Sequence, residues 1–325
     1  MAYVGAATTD TGMSSLMSTY YDKLALETLM PALVVYNLAE KKSLPKNEGK
    51  IIIFHRYFSM ISNPSAASLT EGGSGAWPTW GKMSATPVSA TLQDYGAAFQ
   101  TSDFIEMTAV SNVVEEAIKQ MMADAANIVD KRIMETAYGT SSIPSGAGFP
   151  LTFATAQGYS IGALSTVTSA CSMSVDAIKA AVRDLKVLNA KPMDSGYFSM
   201  ITHPAQTYSL MGDSAWQNAY MYTTPENLRK GNVGRIYNAE VFETTNVFST
   251  TSGVGTASVA AYFAVLLGKG ALAVTEIDGG IKTIVKRPNQ YDTANPLNQW
   301  SSIGWKIRFA PVILNPSCGR VIVTV

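Results

Sequence analysis

The strongest pattern in the sequence is a run of apolar residues with helical spacing in the first half of the chain. These residues recur every three or four positions and would form one face of a helix: Val114, Ile118, Met121, Ala125, Ile128 and Val129. Ser111 is a suitable N-cap, and Gly139 is a suitable stop. The pattern predicts a helix over about 111–138, roughly 42 Å long at a rise of about 1.5 Å per residue.

The carboxylates of this helix fall on its polar side. Glu115 and Glu116 lie in the first turns, where negative charge suits the helix dipole. Asp130 lies on the same polar side, further along. We expect these groups to be solvated or paired, for example Glu115 with Lys119 four residues later.

Shorter helical patterns flank the long one. A Gly/Ala/Thr-rich arm, residues 1–13, precedes a helical pattern that starts at Ser14. Pro31 can open a second short helix carrying Leu33, Val34 and Leu38. Further helices are predicted at 175–189 and 205–211. The charged segment 40–50 is predicted to be a turn, and residues 140–172 are predicted to connect two lobes.

Runs of β-branched and aromatic residues predict the strands. They fall at residues 51–54, 88–99, 197–201, 239–243, 261–267, 271–276, 281–286, 303–314 and 320–325. The helices and strands show no internal repeat and no sustained strand–helix–strand alternation. The fold class is therefore predicted to be α+β.

A long segment between two predicted strands has no helical period. Residues 59–86 are rich in Gly, Pro, Ser and Thr, with Trp77 and Trp80 near the middle. Stretches of this length without regular structure are unusual in compact domains and tend to be functional. The pattern predicts a two-stranded excursion that leaves the body of the protein and returns.

Composition narrows the possible functions. Of 325 residues, 47% are hydrophobic, enough for one elaborated domain or two lobes. Charged residues make up 15%, below the typical value of about 25%. Extensive contact between subunits or a large core would explain this low fraction of charged residues. Lys plus Arg equals Asp plus Glu at 24 each, so no basic excess points to sequence-specific nucleic-acid binding.

Motifs for catalysis are mostly absent. Gly72–Gly75 resembles half of a phosphate loop but lacks the following Lys-Ser/Thr, so we expect a flexible turn. His203 could act as a general base oriented by Asp194 or Asp213, although a structural histidine is the commoner case before a proline at a strand end. We predict no catalytic, cofactor-binding or metal site.

The two cysteines and the apolar stretches add little chemistry. Cys171 and Cys318 are expected to be buried thiols, and with His55 and His203 they match no zinc-site spacing. The longest apolar stretch, residues 257–267, is too short to span a bilayer. No signal peptide is recognised at the N-terminus, so we expect synthesis in the cytoplasm and no membrane anchor.

Several short motifs follow one another along the chain, from about residue 20 to residue 316. They are Leu44-Pro45-Lys46 with Gly49-Lys50-Ile51, Leu69-Thr70-Glu71-Gly72, Gly196-Tyr197 with His203-Pro204, Gly234-Arg235-Ile236 with Val241 and Glu243-Thr244-Thr245, Asn295–Gln299 with Gly304-Trp305-Lys306, and Ile313–Pro316. Each motif alone is weak, but together and in this order they resemble the motifs of tailed-phage major capsid proteins.

This resemblance implies the HK-type major capsid fold. In that fold an N-terminal arm would occupy residues 1–48 and an E-loop with its flanking strands residues 49–100. The P-domain, with a spine helix at about 111–138, would comprise residues 101–155 and 286–325. Residues 156–285 would form the A-domain.

The resemblance also implies function and partners. The chain would self-assemble as pentamers and hexamers into an icosahedral shell, in the virion, after assembly in the host cytoplasm. Expected partners are a portal, a separate scaffolding protein, a decoration protein, and packaged double-stranded DNA bound without sequence specificity. Trp77, Trp80 and Glu71 are the predicted assembly-interface residues. The alternatives are an encapsulin-like compartment of the same fold and a hydrolase using His203.

Overall fold

The computed structural model describes residues 33–45, 47–58, 83–109, 112–139, 148–155, 158–160, 171–223, 234–250, 260–277, 280–286, 297 and 299–325. The helices are α1 (Val35–Leu38), α2 (Asp103–Thr108), α3 (Val113–Tyr138), α4 (Val175–Val187), α5 (Pro204–Met211) and α6 (Ser214–Thr223). The strands are β1 (Glu40–Leu44), β2 (Ile51–Tyr57), β3 (Ala85–Thr91), β4 (Gln93–Ser102), β5 (Leu151–Thr155), β6 (Gly158–Ser160), β7 (Phe198–Thr202), β8 (Arg235–Ile236), β9 (Ala239–Glu243), β10 (Ser249–Thr250), β11 (Ala261–Leu267), β12 (Leu272–Ile277), β13 (Lys282–Lys286), β14 (Trp300–Ile313) and β15 (Gly319–Thr324). The predicted α+β class is confirmed.

A five-stranded sheet is built around the 14-residue strand β14. Strands β12 and β13 pair along one edge of β14, with residues 309–313 and 302–306 respectively. Strand β4 pairs along the other edge, with residues 300–309. Trp305, Ile307 and Phe309 alternate along β14, are buried, and belong to the core that also contains the apolar face of α3. This alternation means that one face of the sheet packs on the long helix and the other faces away from it.

A second, eight-stranded sheet has the order β6-β5-β15-β11-β7-β9-β8, with β10 paired to β11. Most neighbouring strands within this sheet are antiparallel, but β15 pairs in parallel with β5, and β7 pairs in parallel with β9. The central strands β7, β11 and β15 are almost fully buried, as expected for a sheet covered on both faces.

The C-terminal end of the long helix is bonded to this second sheet. Tyr138, the last residue of α3, is buried, and its hydroxyl donates to the carbonyl of Phe263 at 2.7 Å. The same hydroxyl accepts from the backbone N–H of Phe248 at 3.3 Å. Burial raises the pKa of Tyr138, so the hydroxyl keeps its proton and remains a donor.

The prediction for the long helix is largely confirmed. The helix spans Val113–Tyr138 and ends at Gly139, whose φ of 80° is the left-handed conformation that glycine favours. Its N-cap is Asn112, and Ser111 lies outside the described residues. Ile128, predicted on the buried face, is 37% exposed, because β4 leaves this side of the helix open.

The interpretation of Asp130 as a solvated surface carboxylate was wrong. Asp130 is fully buried, and its carboxylate accepts from the backbone N–H groups of Val34, Val35 and Tyr36 at 2.8, 3.2 and 3.0 Å. These are the open donors at the start of α1. The sequence pattern could not show this contact because the partners lie more than 90 residues away.

The ion pair of Lys119 also differs from the expectation. Its ammonium pairs with Glu116 at 3.2 Å, three residues earlier, whereas the sequence suggested Glu115. Both spacings place charges on the same helix face, so local geometry decides which pair forms.

The segment predicted as a charged turn contains a strand. Residues Glu40–Leu44 form β1, which adds in parallel to the edge of β12. Lysine is common on edge strands because it discourages pairing with other chains, and the lysines of β1 are the reason why a turn was predicted here.

The helix α1, which precedes β1, is shorter than predicted. It has four residues, and Leu33 and Val34 lie before it. Ser14 and Pro31 lie outside the described residues.

Other boundaries were misplaced or missed. The strand predicted over 88–99 is two strands, β3 and β4, separated at Leu92. Short strands β5 and β6 occupy part of the predicted connection 140–172. Helices α2 and α6 were not predicted, because each is short and its apolar residues show no clear helical period.

Candidate assembly surfaces

The strands that flank the predicted E-loop form a separate antiparallel ribbon. β2 pairs with β3 over seven residue pairs, from Ile51 opposite Thr91 to Tyr57 opposite Ala85. The backbone N–H of Phe58 also donates to the carbonyl of Ser84 at 3.0 Å, so pairing continues beyond the strands. The predicted two-stranded excursion is therefore confirmed at its base. Glu71, Trp77 and Trp80 lie outside the described residues, and their role stays a prediction.

One face of the ribbon attaches it to the body of the protein. Ile52 and Phe54 belong to a small apolar cluster with residues of β1, β3, β12 and β14. The other members of this cluster are Leu44, Ala90, Leu92, Ala310, Ile277 and Val312. The ribbon is thus seated on the face of the five-stranded sheet opposite to α3.

The opposite face of the ribbon exposes three large apolar side chains. Ile51, Ile53 and Tyr57 are 56%, 51% and 60% exposed, and the polar side chain of His55 lies between Ile53 and Tyr57 on the same face. Several exposed apolar side chains close together on a monomer surface indicate a contact with another molecule. We call residues Ile51, Ile53 and Tyr57 the ribbon stripe.

A second exposed apolar site is the short helix α2. Phe104 and Met107 are each 75% exposed. The helix itself is held in place, because Ser102 caps it by accepting from the N–H of Ile105, and the Ser301 hydroxyl donates to Glu106 at 2.8 Å. Sequence reasoning missed this site, although Ser102 followed by Asp103 is a recognisable helix start.

A groove of about 590 Å³ separates α3 from the edge strand β4. Met121, Ile128 and Phe99 contribute apolar surface to it, and Asp124 and Lys131 contribute charge. The open side of α3 is therefore a third surface on which another segment could pack.

His203 has a structural role at the start of α5. Its Nδ1 atom accepts from the backbone N–H of Ala205 at 3.2 Å. The backbone N–H of His203 donates to the side-chain oxygen of Gln206 at 3.1 Å. Its ring stacks on Tyr262 with centroids 4.6 Å apart. Burial lowers the pKa of His203, which favours the neutral ring that capping requires.

The two proposed orienting carboxylates of His203 bind elsewhere. Asp213 accepts from the backbone N–H groups of Val175 and Ala215 at 2.8 and 2.9 Å. Asp194 pairs with Lys269 at 2.5 Å on the surface. The described residues therefore do not place His203 in a base–orienter pair, and Gly72–Gly75 lies outside them.

Both cysteines are buried thiols, as expected. The Asn315 amide donates to the sulfur of Cys318 at 3.1 Å, and burial raises the pKa of that thiol, which disfavours the reactive thiolate. Within the described ranges, His, Cys, Asp and Glu side chains do not gather in groups of three or more that could hold a metal ion.

Among the described residues, no helix combines the length and the apolar character needed to cross a membrane.

The sequence matches the family described as phage capsid protein over residues 85–322, which is more than half of the chain. No curated protein matches the chain. The matched range begins at β3 and ends within β15, so it contains the long helix, nearly all of the eight-stranded sheet, and the five-stranded sheet apart from β1.

Solved capsid structures share the fold. The capsid protein of Ralstonia phage GP4 aligns with a TM-score of 0.67 and 14% identity, covering 88% of this chain and 87% of that one. The capsid of cyanophage P-SCSP1u aligns with a TM-score of 0.61, 14% identity, and coverage of 88% and 86%. The capsid of cyanophage Pam1 aligns with a TM-score of 0.60, 14% identity, and 91% coverage of both chains. These alignments confirm the predicted capsid fold, and with the match over residues 85–322 they show that the chain belongs to the phage capsid protein family.

Proposed function

We propose that this capsid subunit forms pentamers and hexamers that close into an icosahedral shell around double-stranded DNA. The observation that carries the proposal is the family match over residues 85–322. A shell needs repeated contacts between different surfaces of identical chains, and these contacts close only at a fixed rotation. The ribbon stripe, the exposed side chains of α2 and the groove beside α3 are three such surfaces at separate places on the chain.

Within this shell, we assign the ring-forming contacts to the A-domain, predicted at residues 156–285. The eight-stranded sheet contributes most of the strands in that range, while β12 and β13 pair with β14 in the five-stranded sheet. The remaining predicted units, the arm at 1–48, the E-loop at 49–100 and the P-domain at 101–155 and 286–325, complete the proposed division.

The E-loop is proposed to lie across an adjacent subunit, with Trp77, Trp80 and Glu71 at the contact. Its support is the ribbon, because the antiparallel pairing of β2 with β3 holds the two ends of the segment between them next to each other. The exposed ribbon stripe supports the same idea, because apolar side chains at the base of the loop would also be covered by a neighbour.

The proposed role is structural, without catalysis. His203, the best catalytic candidate in the sequence, is used as a helix cap.

A portal, a separate scaffolding protein and a decoration protein remain proposed partners, and assembly in the host cytoplasm is proposed as well. DNA is proposed to be held without sequence preference, because a chain with a net charge of zero provides little bulk attraction for phosphate.

Electron microscopy of the purified full-length protein tests the proposal directly. We expect closed, uniform shells whose surface shows rings of five and six subunits. Light scattering should show a large particle in equilibrium with small oligomers. A protein that stays monomeric or dimeric under all assembly conditions would contradict the proposed function.

The E-loop assignment has its own test. Replacing Trp77 and Trp80 together by Ala should leave the subunit folded but impair shell formation, because interface anchors commonly contribute about 2 kcal/mol or more each. Replacing Glu71 by Gln should weaken assembly less. The matched control replaces the same two tryptophans by Phe, which keeps a large aromatic side chain at each position and should preserve the shells. Normal shells from the tryptophan variant would disprove the assignment.

A further inference from the structure

Helix α5 begins at a junction with the eight-stranded sheet. His203, the N-cap of α5, directly follows β7, and Pro204 occupies the first helical position. The ring of His203 stacks on Tyr262 of β11 with an interplanar angle of 24°. The histidine ring is therefore held between the start of a helix and a neighbouring strand.

The buried side chain of Gln206 joins the same helix start to the sheet. Its amide nitrogen donates to the carbonyl of Tyr262 at 3.2 Å and to the hydroxyl of Thr324, in β15, at 2.7 Å. Its side-chain oxygen accepts from the backbone N–H of His203. The start of α5 thus connects the strands β7, β11 and β15.

The cap requires one protonation state of the histidine ring. The Nδ1 atom of His203 accepts from the backbone N–H of Ala205, and only an unprotonated ring nitrogen has a lone pair to do so. In the imidazolium form both ring nitrogens are donors, so an N–H group would point at another N–H group. The added positive charge would also lie at the N-terminal end of α5, where the helix dipole is positive. Protonation would therefore break the cap and destabilise the helix start.

We propose that His203 is an acid-sensitive switch: its neutral ring holds the start of α5 on the sheet, and its protonation releases that start. The inference rests on the cap geometry and does not depend on shell formation. Histidine suits this role because its charge changes between about pH 5 and pH 8. In the proposed shell, acid would loosen the A-domain, to which the ring-forming contacts are assigned.

Few charged groups surround the switch. The titratable and charged residues on the described elements that contact β7 and α5 are Tyr208 on α5, Tyr262 on β11, Glu240 and Glu243 on β9, Arg320 on β15, and Asp213 just after α5. Glu243 lies opposite Thr202 in the strand register, but it is exposed, so water and salt screen its charge. Burial lowers the pKa of His203 below its ordinary value of 6.5, which is the direction that the cap requires.

The sign of the pH effect follows from this lowered pKa. A group with a lower pKa in the folded state stabilises the folded state above its unfolded-state pKa, and this contribution is lost as pH falls through the folded-state pKa. The start of α5 should therefore be held at neutral pH and begin to loosen below 6.5. Burial raises the pKa of Asp130, which acts in the opposite direction on global stability, so the measurement must be local to α5.

Hydrogen exchange of the purified full-length subunit, followed by mass spectrometry of peptides that cover residues 203–211, tests the switch. After correction for intrinsic exchange rates, protection of α5 should fall about fivefold between pH 7 and pH 5, the effect of losing one N-cap. The His203→Asn variant has a good cap that does not titrate, so its protection should be equal at both pH values. Equal losses in the wild type and this variant, or no loss in the wild type, would overturn the inference.

His55, the other histidine of the chain, provides the matched control. It is exposed on the ribbon, so the His55→Asn variant should lose protection in α5 to the same extent as the wild type. This variant also leaves His203 as the only imidazole, which ¹⁵N-histidine NMR can then observe alone. We expect an unprotonated Nδ1 atom at neutral pH and a pKa below 6.5. A proton on Nδ1 at neutral pH would refute the switch, even if the His203→Asn variant does not fold.

Discussion

The carboxylate of Asp130, in the second half of the long helix, accepts a hydrogen bond from the backbone N–H of Val34 at 2.8 Å. Two further N–H groups of the same short helix donate to this carboxylate, so one buried side chain satisfies three donors that the helix start leaves open. The chain then continues directly into β1, which extends the five-stranded sheet. Asp130 therefore fixes the position of the N-terminal segment against the helix.

Replacing Asp130 by Asn should lower the free energy of unfolding by about 2 kcal/mol, because the amide oxygen replaces only one of the two carboxylate oxygens and the NH₂ group leaves at least one backbone donor without an acceptor. Denaturant unfolding of the subunit, followed by circular dichroism, measures the loss. Asp124 provides the control, since it is an exposed carboxylate on the same helix, and its Asn variant should unfold like the wild type. Equal losses in the two variants would contradict the anchoring role.

Stability should depend on pH through the same residue. Burial raises the pKa of Asp130 from its ordinary value of 3.8 to about 6, although the backbone donors act in the opposite direction. A raised folded-state pKa means that the native state binds the proton more tightly, so the free energy of unfolding rises as pH falls from about 6 toward 4.

The size of this effect is up to about 3 kcal/mol, from a shift of roughly two pKa units. Comparing the wild type with Asp130→Asn at pH 7 and pH 5 isolates it, because the contributions of Glu276 and His203 are common to both proteins. Burial also raises the pKa of Glu276, which accepts from the Tyr36 hydroxyl. The same pH dependence in both proteins would argue against Asp130 as its source.

The hydroxyl of Tyr138 should contribute measurably to the attachment of the long helix to the second sheet. Tyr138→Phe removes the donor to the Phe263 carbonyl and should cost about 1–2 kcal/mol, because that buried carbonyl loses its side-chain partner. Tyr208→Phe is the matched control, since Tyr208 is 82% exposed. Thermal unfolding should shift for the first variant and remain unchanged for the second.

His203 should behave as a helix cap and not as a general base. His203→Ala should lose about 1 kcal/mol of stability, and His203→Asn should recover most of it, because asparagine is a good N-cap. Hydrolysis of a model ester should be indistinguishable among the three proteins. Activity in the wild type that disappears with the alanine variant would reverse the assignment.

Local patterns predicted much of this protein. The period of the apolar residues in 113–138 is a property of neighbouring positions, and Gly139 supplies the backbone conformation that ends the helix. The strands β9, β11 and β13 were likewise predicted within one residue, since their β-branched and aromatic residues are contiguous. The ordered motifs also identified the family.

Pairings between distant segments were decided only by the tertiary structure. The lysines of β1 favoured a turn in the sequence, whereas in the structure β1 pairs with β12 as an edge strand. Asp130 was predicted to be solvated, whereas in the structure it binds Val34 and its neighbours from another part of the chain. The ion pair between Arg308 and Asp94 likewise joins residues 214 positions apart. The sequence alone determines local periods and caps because their partners are a few residues apart, whereas register, burial and surface charge arise from contacts whose partners no local pattern specifies.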